Sequence, residues 1–401
     1  MKEIILPKLK KRKRVSFFLG TDKYAGKNTT EQETRVGITP TQLFRLRSVL
    51  NDANIDLESF VVSGAGERSF FSDDEYKKAY ARIVREQELS SIKDIDVLHS
   101  LKEPASYECS IGGTFLRIGA LHRGDISKNK EDIRVKLLKK NKVYAFFDGS
   151  TIGGTSLKFF GLPSAPIKAS MSKFAGIIAA KKVIDNANGY GKVVIVGGGV
   201  VGENALQEFL KCNNEKITEI YLYEKNLSLV NVLSKKYKNF ENLKIIHSNQ
   251  NVKINLEWAL GLILAAYIPS QKTPHVVNCK DLLKMKRRSV VVDVATDEGG
   301  SIELNEDQGF SEDFLKNNKF MTYIAEQNLP RLYGREASEV HGEAIFPYLL
   351  VLLFLVAKNG SISAAVDEIK NSKEPMKIED ENDYLQVLKC DLRNGLVQDL
   401  S

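Results

Sequence analysis

Over the first hundred residues, short β-branched and aromatic runs alternate with segments whose apolar residues return every three or four positions. Residues 15–20 (VSFFLG), 60–62 and 97–101 have the composition of strands. Between them, residues 39–53 carry helical spacing behind a Thr-Pro start. Residues 72–86 open like a capped helix, with Ser72 at the cap and Glu75 three residues on. Such alternation predicts a parallel, doubly wound sheet.

The pattern restarts further along. A loop-like stretch at 163–171 leads into helical spacing at 172–186, followed by a β-branched run at 193–196 that ends in GGGVVG (197–202). Further strands are predicted at 219–223, 244–247, 259–266 and 289–294. The predicted fold class is α/β, with two doubly wound, Rossmann-like domains. Residues 1–157 form the first part of one domain, 158–330 form the second, and 331–401 return to the first. A chain of 401 residues suits that division, because single cores stop growing well below this length.

Composition narrows the class. Hydrophobic residues at 43% and charged residues at 27% are ordinary for a globular protein and exclude disordered, collagen-like and membrane classes. The apolar segments 258–268 and 344–357 (AIFPYLLVLLFLVA) are shorter than the roughly 18–20 residues of a spanning helix, and read as a buried strand and a buried helix. No secretory signal opens the chain, and Cys109, Cys212, Cys279 and Cys390 stand far apart without zinc spacing. Reduced thiols in a cytoplasmic protein and no metal site are therefore expected. The net charge of +7 comes largely from residues 8–14, a basic run without interleaved aromatics, so no nucleic-acid partner is expected.

Gly197, Gly199 and Gly202 form GxGxxG between a strand and a helix. The first permits a tight turn, the second lets backbone approach a pyrophosphate, and the third lets helix and strand pack closely. Val200 and Val201 open the helix, whose N-terminal amides and dipole favour phosphate charge. Glu224 ends the next strand, 22 positions beyond Gly202 (224 − 202), where an acid accepts hydrogen bonds from ribose hydroxyls and repels a 2′-phosphate. NAD is the expected cofactor, with NADP disfavoured; Lys225 next door works against that preference.

These motifs, with ETRVGITP (33–40), SGAGE (63–67), FSDDEY (71–76), KEP (102–104), MSKFAG (171–176) and VDVATDEGG (292–300), resemble the superfamily of alanine dehydrogenase, the transhydrogenase N-terminal subunit and saccharopine dehydrogenase. The likeness runs from about residue 15 to 350. It implies a cleft between the two domains, with the nicotinamide directed at the substrate from the second.

The resemblance also implies site residues. Arg35 occupies the position of the family arginine that grips the substrate carboxylate, a task suited to a planar fork that keeps its charge. Lys102, after the 97–101 strand, matches the lysine that contacts the substrate carboxylate or carbonyl oxygen. His122, 20 residues further on (122 − 102), matches the acid/base histidine, whose ordinary pKa suits proton transfer at neutral pH. Asp297 resembles an aspartate that acts beside the nicotinamide on water or a cationic imine, and Asn328 is a candidate contact to nicotinamide or substrate. The implied partner is a small amino acid or 2-oxo acid, with a homo-oligomer left open. The stretch 331–338 (RLYGREAS) lacks the alanine-dehydrogenase pattern and looks more like the saccharopine-forming lysine reductases, as does GGSIE (299–303). A joining reaction between an amino acid and a 2-oxo acid is therefore the alternative to deamination, and a non-catalytic NAD-binding protein is a further one.

Overall fold

The computed structural model describes residues 4–20, 33–101, 107–108, 111–119, 144–147, 155, 158, 166–212, 214–249, 253–266, 273–296, 300–309, 311–326 and 328–396. Lys102, His122 and Asp297 lie outside them. The chain divides into two compact units, Met1–Met171 with Arg331–Ser401, and Ser172–Pro330. The division falls within a helix, past the 157/158 boundary drawn from the sequence.

The first unit begins β1 (Lys13–Leu19), α1 (Pro40–Asp52), β2 (Ile55–Val62), α2 (Asp73–Lys78), β3 (Ala81–Val84), β4 (Val97–His99), β5 (Leu116–Gly119) and β6 (Tyr144–Phe147). The strands form one sheet in the order β3-β2-β1-β4-β5-β6, with all neighbours parallel. Strand β1 lies inside it and is buried on both faces at Phe17, Phe18 and Leu19, as a central parallel strand must be. A reciprocal capping box between Thr39 and Gln42 starts α1, and one between Ser72 and Glu75 starts α2. The helix expected over 72–86 stops at Lys78. Tyr80 takes a left-handed backbone, and residues 81–84 turn into β3 beside β2. Tyr76, Tyr80, Ile83 and Val84 fall at helical spacing by coincidence, which is why the pattern overran the helix.

Helix α3 (Pro166–Asn186) carries the chain from one unit into the other. The second unit then runs β7 (Gly191–Val196), α4 (Val200–Cys212), β8 (Ile217–Glu224), α5 (Leu227–Lys236), β9 (Leu243–His247), β10 (Ala259–Leu264), β11 (Val277–Asn278), α6 (Cys279–Leu282), β12 (Ser289–Asp293), β13 (Ile302–Glu303), α7 (Glu312–Lys316) and β14 (Met321–Ile324). Its main sheet has the order β14-β12-β10-β7-β8-β9, again all parallel. Both six-stranded sheets thus follow the 3-2-1-4-5-6 winding, which reverses direction beside its first strand and opens a ligand crevice there.

The C-terminal segment returns as α8 (Gly334–Asn359), α9 (Ile362–Lys370) and α10 (Glu381–Gly395). With its preceding turn, Leu329–Asn359 is long and apolar enough to cross a membrane by length and composition. Its most apolar window is 89% buried inside the protein, which marks a core helix. The buried helix expected at 344–357 is therefore present but starts ten residues earlier, because its first turns are polar. Residues 344–357 of α8 pack into the same core as β1, β2 and β4.

Candidate functional site

At the carboxyl edge of the second sheet, each glycine of GxGxxG meets a separate steric demand. Gly197 has φ +100°, and its amide donates to Tyr223 O at 2.8 Å. A Cβ there would lie 2.7 Å from Ala265 O. Gly202 lies so close to the carbonyl of Gly197 that no side chain fits between helix and strand, which lets α4 start directly over β7. Gly199 is the opposite case: nothing lies within 4 Å of where its Cβ would be. That open space stands beside Val200 and Val201, whose amides belong to the first turn that an α-helix leaves without internal partners. The loop therefore offers donors and room for an anion in one place.

Glu224 ends β8 beside this loop. Its carboxylate accepts from the amide of Gly198 at 2.5 Å and from that of Asn226 at 2.7 Å. A carboxylate has about four acceptor positions, so two backbone donors do not saturate it. The residues that follow β12 are shaped by Asp293, which is fully buried. Its two oxygens accept from the amides of Ala295 and Ser301, at 3.1 and 2.8 Å, on either side of the segment that holds Asp297. Burial raises the Asp293 pKa, and those two amides oppose the rise. Asn328 follows β14 on the same edge, with a left-handed backbone at φ +57°.

In the first unit, the segment containing Arg35 reaches the end of β4, beside β1, where the sheet order reverses. Gly37 abuts the Nε2–Cδ2 edge of the His99 ring at the end of β4, too close for any side chain. Arg35 is buried, and Glu33 grips it: Nε donates to Oε1 at 2.7 Å and Nη2 to Oε2 at 2.8 Å, with side-chain exposures of 7% and 5%. Its Nη1 faces Met171 Sδ at 3.3 Å. Glu33 thus occupies two of the five N–H donors of the fork and compensates a charge that burial would otherwise penalise heavily.

The residues on both sides of Lys102 are tied to a buried arginine. Arg117 donates through Nε to Glu108 Oε2 at 2.8 Å and through Nη2 to Ser100 Oγ at 2.6 Å. Ser100 in turn donates to Glu108 Oε1 at 3.1 Å, and neither charged side chain is exposed. His99 is also fully buried. Its Nδ1 lies 2.9 Å from Ile118 O, and its ring stacks on that of His341 with centroids 5.7 Å apart. Burial pushes its pKa down to about 4.

Sequence patterns assigned no role to Glu33, Asp293, His99 or the Arg117–Glu108 pair. A signal existed for Glu33: residues two apart in an extended segment face the same side, so Glu33 and Arg35 can meet. Asp293 closes an apolar β-branched run, where a lone acid must be satisfied by backbone. Arg117 and Glu108 had no such cue, since their meeting depends on tertiary structure.

Two parallel 3-2-1-4-5-6 sheets, one with a glycine loop shaped for a pyrophosphate, define the class of doubly wound dinucleotide-binding proteins. The chain belongs to the alanine dehydrogenase/PNT family: residues 26–146 match the description "Alanine dehydrogenase/PNT, N-terminal domain" and residues 170–374 match "Alanine dehydrogenase/PNT, C-terminal domain". The chain is 26% identical over 348 residues to alanine dehydrogenase 2 of Staphylococcus aureus (strain Mu50 / ATCC 700699), covering 80% of this chain and 84% of that protein. Among solved structures, an L-alanine dehydrogenase superposes with a TM-score of 0.68 over 96% of both chains at 21% identity. A transhydrogenase from Sinorhizobium meliloti superposes with a TM-score of 0.65 over 85% of this chain and 95% of that one at 19% identity. These two likenesses establish the α/β fold. The alanine dehydrogenase homologues are oxidoreductases acting on CH–NH2 groups, and this chain is an enzyme of that class.

Proposed function

We propose that this enzyme is an NAD-dependent amino-acid oxidoreductase that moves a hydride between nicotinamide and the α carbon of an L-amino acid/2-oxo acid pair through an imine, with alanine and pyruvate as the first-choice pair. The observation that carries this reading is the buried fork of Arg35 at the switch point of the first sheet, in a chain whose second sheet bears a dinucleotide loop. The loop suits NAD on its own geometry: open space over Gly199 for the pyrophosphate, free-turn amides at Val200 and Val201, and Glu224 with acceptor positions left for the ribose hydroxyls. When bound, the cofactor supplies or takes the hydride.

The protein's own residues do the rest. Arg35 and Lys102 hold the carboxylate and oxygen of the 2-oxo acid. Ammonia adds to the carbonyl carbon, His122 protonates the departing hydroxyl as water leaves, and Asp297 stabilises the cationic imine or polarises the water that reverses the step. Asn328 borders the nicotinamide or the substrate. A saccharopine-like condensation, with a second amino acid in place of ammonia, is the alternative favoured by residues 331–338. NADH oxidation with pyruvate or 2-oxoglutarate, each with ammonia or lysine, separates the two when product mass is measured. Alanine from pyruvate and ammonia is expected. A product carrying both carbon skeletons would replace deamination with condensation, and no product from any pair would remove the proposed activity.

A further inference from the structure

The stretch in which the sequence departs from the alanine-dehydrogenase pattern, residues 331–338, packs directly against the segment that carries Arg35, some 300 positions earlier in the chain. Thr34 Oγ1 donates to the carbonyl of Arg331. The amide of Val36 donates to Ser338 Oγ at 2.9 Å, and Ser338 is fully buried. Gly334, the first residue of α8, lies under Thr34: a Cβ there would stand 2.7 Å from Thr34 O and 3.0 Å from its Oγ1. The other side of the segment is held by residues 67–71. Ser69 Oγ donates to Thr34 O at 2.5 Å and sits 3.1 Å from Ser338 Oγ, and Arg68 Nη1 donates to Glu33 O at 3.2 Å.

On either side of Arg35, residue 34 is therefore bonded to the turn that leads into α8 and residue 36 to the start of α8 itself. The guanidinium cannot adjust independently, because Glu33 locks it to its own backbone through two further bonds from the amides of Thr34 and Arg35, at 3.1 and 3.0 Å. A displacement of α8 at Gly334 therefore acts on the segment that carries the fork.

From this geometry we infer that Gly334 and Ser338 are positioning residues for Arg35, fixing where its fork stands relative to the substrate carboxylate. The inference rests on the proposed reading of Arg35 as the carboxylate clamp. It gives residues 331–338 a task in substrate binding although none of them need touch the substrate. Gly334 is the sharper probe of the two. Its backbone is not left-handed, so Gly334→Ala meets the contact with Thr34 without backbone strain of its own. Ser338→Ala removes the acceptor for Val36 and leaves a buried amide unsatisfied.

The test measures pyruvate binding to the protein–NADH complex without ammonia, by the change in nicotinamide fluorescence, with 2-oxoglutarate used if pyruvate does not saturate. Gly334→Ala and Ser338→Ala are each expected to raise the 2-oxo acid Kd about tenfold or more, the scale of a weakened hydrogen bond between charged groups. The NADH Kd should stay within twofold, and Ser338→Thr, which keeps the oxygen, should recover most of the affinity. A merely structural role would lower the thermal midpoint and leave the 2-oxo acid Kd unchanged, and that result overturns the inference. Arg35→Lys separates the two layers. If it weakens binding while the Gly334 and Ser338 variants do not, the positioning inference alone fails. If Arg35→Lys has no effect, or if the unsubstituted protein binds neither 2-oxo acid, the clamp reading fails and takes the inference with it.

Discussion

Replacing His99 should flatten the fall in stability of the first unit as pH drops below about 6.5. His99 ends β4 with one ring edge against Gly37, stacked on His341 and bonded to Ile118 O, with no exposed surface. Burial lowers its pKa from the ordinary 6.5 to about 4. The unfolded chain takes up a proton near pH 6.5 while the folded chain refuses it until about pH 4, so the unfolded state binds more protons across that window. Stability must then fall as pH falls through it. Each tenfold change in proton affinity corresponds to about 1.4 kcal/mol, so the full loss is about 3 kcal/mol, a large share of the stability of an ordinary domain. Asp96 in the same unit and Asp293 in the other, both raised by burial, work in the opposite direction. The assay is urea unfolding at intervals from pH 7 to 4.5, read by hydrogen exchange in the peptides of β1 and β4. The single tryptophan, Trp258, lies in the second unit and reports that one separately. His99→Asn can keep a donor to Ile118 O but does not titrate. Its stability at pH 7 should be lower because the ring is lost, and its curve against pH should be flatter than that of the unsubstituted protein. Parallel curves for the two proteins would rule out His99 as the source of the acid sensitivity.

Glu224→Gln keeps the shape but not the charge at the ribose end. NADH affinity should drop about tenfold or more, the scale of a hydrogen bond to a charged group, and the preference for NADH over NADPH should narrow; clearly tighter NADPH binding by the unsubstituted protein would mean that Lys225 overrules Glu224. Gly202→Ala has no room against the carbonyl of Gly197 and should weaken NADH binding by about tenfold or more, measured by fluorescence titration; unchanged affinity would show that α4 can shift at no cost to the loop. His122→Ala should lower turnover by on the order of 10²–10⁴ with little change in cofactor affinity, and near-normal turnover would remove it from the mechanism.

The doubly wound class was legible because β-branched runs alternate with amphipathic segments, and the cofactor loop was legible because each of its glycines answers a local demand. The overrun at 72–86 arose where four apolar residues imitated a helical period across a left-handed Tyr80. Strands β5, β6 and β14 are four residues each, too short for a period to emerge above background. In the candidate site, the motif named Arg35, whereas its pairing with Glu33 and the contacts of its segment with Gly334 and Ser338 were not legible. The latter join positions some 300 apart, and no local pattern encodes a contact made only when α8 returns to the first sheet.

Everything proposed for this enzyme depends on hydride passing between the nicotinamide and the α carbon of an amino acid. The deciding experiment incubates the enzyme with pyruvate, ammonia and NADH deuterated at the transferring position of C4. Alanine with one deuterium on Cα, formed in proportion to the NADH consumed, is expected. Alanine without that deuterium, or NADH binding with no alanine formed, would show that the proposed transfer does not occur.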